Sequence, residues 1–218
     1  NDNQPEKALA AYKQVISNYP GSEEAKIALQ DLKSVYIDLN DINAYASYVN
    51  SIGGNIRLEV GEQDSLTYIA AEKLFMRGDN DGARRSLAGY LQTFPEGAFS
   101  SNANFYLGSI AFAKKEFDEA IQRFKLVIAS GDTKFLEESV ARTAEIEYLS
   151  KDYPAALESF KRLQIVAENP ENRQAARLGI MRCALQTGQQ KDALLAADEL
   201  LKEPKLSPEL EAEARYVR

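Results

Sequence analysis

Apolar residues return at steps of three and four along almost the whole of this 218-residue chain, the spacing of helices with one buried face. Ala8, Leu9, Tyr12, Val15, Ile16 and Tyr19 mark the first stripe, and Pro20-Gly21 ends it. Ser22 offers an N-cap before Glu23-Glu24. Ala25, Ala28, Leu29, Leu32, Val35 and Tyr36 form the next stripe. Asn40-Asp41 breaks it before a helix through Ala44, Tyr48 and Ile52, which Gly53-Gly54 closes. Ile56, Leu58 and Val60 then alternate in a run with no helical spacing, expected to be a loop that tucks all three onto the array. Helix restarts at Asp64.

From there the pattern pairs up. It predicts helices over about 64–78 and 80–94, 98–115 and 117–130, 133–150 and 153–167, and 171–188 and 190–203. Joints of two or three residues, at Gly78-Asp79-Asn80, Lys115-Glu116, Lys151-Asp152 and Gly188-Gln189, force antiparallel hairpins. Asn169-Pro170 and Ser207-Pro208 read as an N-cap followed by a first-turn proline. No proline falls inside a predicted helix.

The pairs repeat. Ala8, Ala44, Ala83, Ala120, Ala156 and Ala193 stand 36, 39, 37, 36 and 37 residues apart. A near-constant period of this length means stacked helical hairpins rather than one shared core. The expected architecture is all-α: a right-handed α–α superhelix of antiparallel helix pairs, one solenoid over 1–218. Its parts are a half repeat at 1–21, repeats at about 22–63, 64–97, 98–132, 133–170 and 171–206, and a half repeat at 207–218. The last stretch, with Leu210, Ala212, Ala214, Tyr216 and Val217, is still partly apolar, and the chain opens on Asn1. Both ends therefore read as cut from a longer array.

The register of small residue, aromatic and proline resembles the tetratricopeptide repeat. The best segment is Phe105-Tyr106-Leu107-Gly108-Ser109-Ile110-Ala111-Phe112, followed by Phe117, Ala120, Phe124 and Ala129. Gly108 stands twelve before Ala120, where that family places a small residue so that two helices can touch. Ala71 and Ala144 hold the same slot before Ala83 and Ala156; Met181 departs from it, with Gly179 two residues early. The family's early tryptophan is missing throughout. Tyr19-Pro20-Gly21-Ser22 and Phe94-Pro95-Glu96-Gly97 are also similar to loops of bacterial envelope repeat proteins, the Tol–Pal coordinator and the helical lipoprotein of the barrel-assembly machinery. That likeness implies a periplasmic or outer-membrane-associated scaffold, with a cytoplasmic one as the alternative.

Composition narrows the chemistry. Hydrophobic residues at 44% and charged ones at 27% suit a folded chain. With a net charge of −7 and no basic run, nucleic acid and anionic lipid are not expected partners. Histidine is absent, which removes Ser-His-Asp and Cys-His nucleophiles and His-containing zinc sites. Lone Cys183 lies in an apolar helical context and reads as a packing thiol. No apolar stretch is long enough to span a bilayer, so any envelope attachment would lie elsewhere in a longer chain. No cofactor or metal is expected, and no enzyme. The acid group Glu137, Glu138, Glu145 and Glu147 reads as solvated helix surface.

What remains is binding. The family's inner-face positions imply a concave groove lined by Tyr68, Glu72, Asn102, Phe105, Ser109, Glu138, Glu145 and Arg182. Phe99 and Phe135, in the linkers, are further contact candidates. The expected function is a protein-interaction scaffold that takes a peptide or partner helix, with a passive spacer or a part of a glycan- or nutrient-uptake lipoprotein as alternatives.

Overall fold

In a computed structural model, residues 4–53 and 56–218 are described. Gly54, expected to help close the third helix, lies outside them. Among the described residues there are twelve α-helices and no strand: α1 Pro5–Asn18, α2 Glu23–Asp38, α3 Ile42–Ile52, α4 Val60–Met76, α5 Asn80–Thr93, α6 Ser100–Ala113, α7 Phe117–Ser130, α8 Leu136–Leu149, α9 Tyr153–Val166, α10 Pro170–Gln186, α11 Gln190–Leu201 and α12 Pro208–Val217. None of them is long and apolar enough to cross a membrane. The chain divides into two compact units, residues 1–103 and 104–218.

The tight joints share one construction. At Asn40, Gly78, Lys115, Lys151 and Gly188 the backbone turns left-handed, with φ of 54°, 81°, 60°, 61° and 73°. In each case the next residue's N–H reaches back to a carbonyl five positions earlier: Asp41 to Tyr36, Asp79 to Leu74, Glu116 to Ala111, Asp152 to Glu147 and Gln189 to Ala184, at 2.8–3.0 Å. This is the bond that satisfies an orphan carbonyl at a helix end. That same residue opens the next helix, and at Asp41, Asp79 and Asp152 its carboxylate also caps an amide of the first turn.

In the unit of residues 1–103, Leu9, Leu32, Tyr36, Ile42, Tyr45, Val49, Leu66 and Ala70 bury together. The helix expected from Asp64 begins at Val60. It starts without a side-chain cap at Glu59, so no residue signalled the extra turn. Of the three residues expected to tuck in, only Leu58 packs on the core; Ile56 and Val60 are exposed.

In the unit of residues 104–218, Val140, Ala144, Ala156, Leu163, Met181, Ala193, Leu200 and Ala214 belong to one buried cluster spanning α8 to α12. The small-residue slot behaves as the register implies at Gly108, where a Cβ would lie 2.9 Å from the Phe124 ring. Gly179 serves a different seam: a Cβ there would sit 2.4 Å from the ring of Phe160, on the preceding helix α9. Met181 fills the slot itself, fully buried.

Two substitutions probe these contacts in opposite directions. Gly179→Ala forces a methyl into Phe160 and should lower unfolding free energy by about 1–3 kcal/mol. Lys151→Gly relieves a left-handed non-glycine residue and should raise it by about 0.5–1 kcal/mol, net of glycine's extra freedom in the unfolded chain. Urea unfolding midpoints read both.

Candidate functional site

The eight expected groove residues fall into separate groups. In the first unit, α4 and α6 bring Tyr68, Glu72 and Asn102 together. The Tyr68 hydroxyl donates to Glu72 Oε1 at 2.7 Å, and Asn102 Nδ2 donates to the Tyr68 hydroxyl at 3.2 Å. Tyr68 and Asn102 are buried, so they offer no open surface. Phe99, expected as an exposed contact, instead stacks on Tyr68, with ring centroids 4.4 Å apart and planes within 1°. Its linker is pinned beneath: Asp64 accepts from the Tyr90 hydroxyl at 2.5 Å and from the Ala98 amide at 2.9 Å.

Phe105 and Phe135, in the second unit, repeat that arrangement, stacked at 4.2 Å and 11°. Phe135 is therefore half-buried against α6 rather than presented to solvent. Ser109 turns its hydroxyl back onto the Phe105 carbonyl at 2.9 Å.

Glu138, Glu145 and Arg182 do meet at an open surface. They line a cleft of about 360 Å³ between α8 and α10, with Phe160 and Leu163 of α9 also in its wall. Ala141, Tyr148, Leu149 and Leu178 add to an apolar lining. Arg142 stands between the two carboxylates, with Nε 2.9 Å from Glu138 and a terminal nitrogen 3.0 Å from Glu145. Arg182 is gripped by both oxygens of Glu213 on α12, each at 2.7 Å. The guanidinium in turn holds the Glu213 carboxyl below its ordinary range, against the opposing effect of burial. The five charged groups sum to −1, and all are partly exposed. The volume falls in the range of roughly 300–1,000 Å³ typical of ligand clefts.

A tetratricopeptide-repeat model matches residues 70–133 and a second matches residues 1–22. Over those two stretches the sequence matches tetratricopeptide repeats. No curated protein matches it by sequence. Solved structures share its fold. MamA aligns with a TM-score of 0.57 at 13% identity, over 88% of this chain and 98% of that one. YrrB, described as a TPR protein with an unusual peptide-binding site, gives 0.53 at 13% identity, over 95% and 99%. PilW, described as a widely conserved type IV pilus biogenesis factor, gives 0.51 at 15%, over 96% and 90%. At these identities the likeness is one of fold, the all-α solenoid of antiparallel helix pairs.

Within the repeat of α8 and α9, the acidic residues are not one group. Glu147, expected on the solvated surface, is buried, with Lys125 Nζ at 3.2 Å and the Ser159 hydroxyl at 2.5 Å. Glu137 ties down the α9–α10 connection. It accepts from the amides of Glu168 and Asn169 at 2.9 and 3.1 Å and from Asn172 Nδ2 at 2.7 Å. Burial pushes its pKa up, but these donors and the nearby charge of Arg173 outweigh that and hold it below the usual carboxylate value. Cys183 is buried as a packing thiol, and burial alone raises its pKa to about 11. Among the described residues, no group of three or more carboxylates and thiol is placed to hold a metal ion.

Several residues of the cleft were not anticipated from sequence. Arg142 was legible as the i+4 partner of Glu138, a spacing that places opposite charges together on a helix. Leu149 and Tyr148 gave no separate signal, because they continue the same apolar stripe as core residues.

Glu137 generates a pH prediction. A carboxyl with a depressed folded pKa contributes stability that is present above its unfolded value, about 4.3, and is lost as pH falls through the folded value. Glu137→Gln should therefore lower stability at neutral pH and flatten its fall on acidification below about pH 4.3. Chemical unfolding from pH 7 to 3 measures this, and an unchanged acid limb would remove Glu137 from the account.

Proposed function

We propose that this chain is a non-catalytic interaction scaffold, and that a peptide or partner helix docks in the cleft between α8 and α10. The observation that carries this reading is the cleft itself. An apolar floor is left open while the charged side chains on its rim are already tied to one another in fixed positions. Apolar surface at the centre with polar groups around it is the layout of a protein-binding patch. The exposed side chain of Leu149, at 54%, continues the apolar surface outward. The excess of carboxylate on the rim favours a partner with positive charge. The likeness in fold to a protein described as having an unusual peptide-binding site supports a peptide as the occupant. A bacterial cell-envelope setting is part of the proposal. Its support is the aromatic-proline loop pattern and the fold shared with a pilus biogenesis factor.

A photo-crosslinking side chain at Leu149 tests the reading against one at Ile165, exposed to 85% on α9 and outside the cleft lining. Both sites are open enough to substitute without disturbing the core. A partner docked in the cleft should label from position 149 and not from 165, and labelling should fall when Arg182→Ala is added. Equal labelling from both positions would favour a passive spacer or a contact elsewhere.

A further inference from the structure

The stacked ring pair recurs on a fixed register, and the cleft lies where the register continues and the rings do not. Tyr68 stands three residues before Ala71, Phe105 three before Gly108, and Ala141 three before Ala144. Phe99 stands nine before Gly108, Phe135 nine before Ala144, and Asn172 nine before Met181. The first two sets place ring on ring at 4.4 and 4.2 Å. The third has Ala141 and Asn172 at the corresponding positions, and both line the cleft of about 360 Å³. Asn172 turns aside to donate to Glu137, so it does not occupy the missing ring's place.

The neighbouring walls are suited to a ring. Tyr148 and Phe160 line the cleft and meet each other nearly edge to face, with planes at 71°. An aromatic group entering beside Ala141 gains such edge contacts as well as buried area. Around the opening, Glu138 and Glu145 share one guanidinium, which leaves negative charge in excess. A cation beside the incoming ring answers that charge.

We infer that the cleft is the vacated seat of the repeat's own ring pair and that it binds a peptide segment carrying an aromatic side chain next to a basic one. This rests on the docking reading above and specifies the chemistry of the occupant.

The test uses the full 218-residue chain and four end-blocked pentapeptides. Three are Ala-Lys-X-Lys-Ala with Phe, Leu or Ala at X; the fourth keeps Phe and replaces both lysines with glutamate. Amide shifts of Leu163, Leu178 and Arg182 report occupancy. Two variants block the seat: Ala141→Phe, which restores a ring to the repeat, and Ala175→Phe, at an exposed lining position outside the buried core. The Phe peptide should bind about tenfold tighter than the Leu peptide. It should also bind more tightly than the glutamate peptide, and both variants should abolish its shifts. If the Leu peptide binds as tightly as the Phe peptide and both variants still block it, the ring inference is overturned and groove docking stands. If the glutamate peptide binds equally, the basic neighbour is overturned. If no peptide shifts these amides, or neither variant matters, the docking reading falls and takes the inference with it.

Discussion

The hairpin joint is the constraint on which the rest of the structure depends. A left-handed residue ends one helix, and the next residue's amide closes back onto a carbonyl five positions earlier. The helix then reverses with no slack, so the small residues of the two helices face each other at a set depth. That depth is what lets Ala83, Ala120, Ala156 and Ala193 disappear completely from solvent. It also fixes which residue of each first helix comes next to the following linker. The ring pairs and the open cleft are consequences of that placement. The joint tolerates lysine as well as glycine at the turning residue, because the hydrogen bond and the packing on either side over-determine the conformation.

Much of this was legible in the sequence, for reasons that can be named. The joints were readable because each combines a turning residue with a capping one. The paired helices from Asn80 to Leu201 follow the expected boundaries to within a few residues. The start of α4 was not readable, because Glu59 makes no side-chain cap and Val60 and Gly61 are poor helix signals. The site was legible in one half only. Glu138, Glu145 and Arg182 were assigned to one face by the repeat's inner-face register, and they line one cleft. Tyr68 shares that register and is nevertheless covered, because Phe99 stacks on it from a linker about thirty residues further along. Helical periodicity carries no information about what a later loop will lay across a face.

The ion pairs of the cleft orient more than they stabilise. Arg142 with Glu138 and Glu145, and Arg182 with Glu213, are all partly solvated, and such pairs contribute about 0–1 kcal/mol each. Their effect is to fix where each charge stands. Arg142 also lies over the Phe112 ring, 4.7 Å from its centroid, which limits its freedom further. A partner would meet charges that are already placed, so less ordering accompanies binding.

Asp64 and Glu137 have a consequence for how the connectors behave. Each carboxylate holds linker amides, at Ala98 in one case and at Glu168 and Asn169 in the other. These amides sit outside the helices, yet their protons are engaged as helical protons are. Opening such a linker requires breaking bonds to the first helix of its own repeat. The connectors therefore share the protection of the helices they join, and hydrogen exchange would find no soft point there from which the repeat could be peeled open.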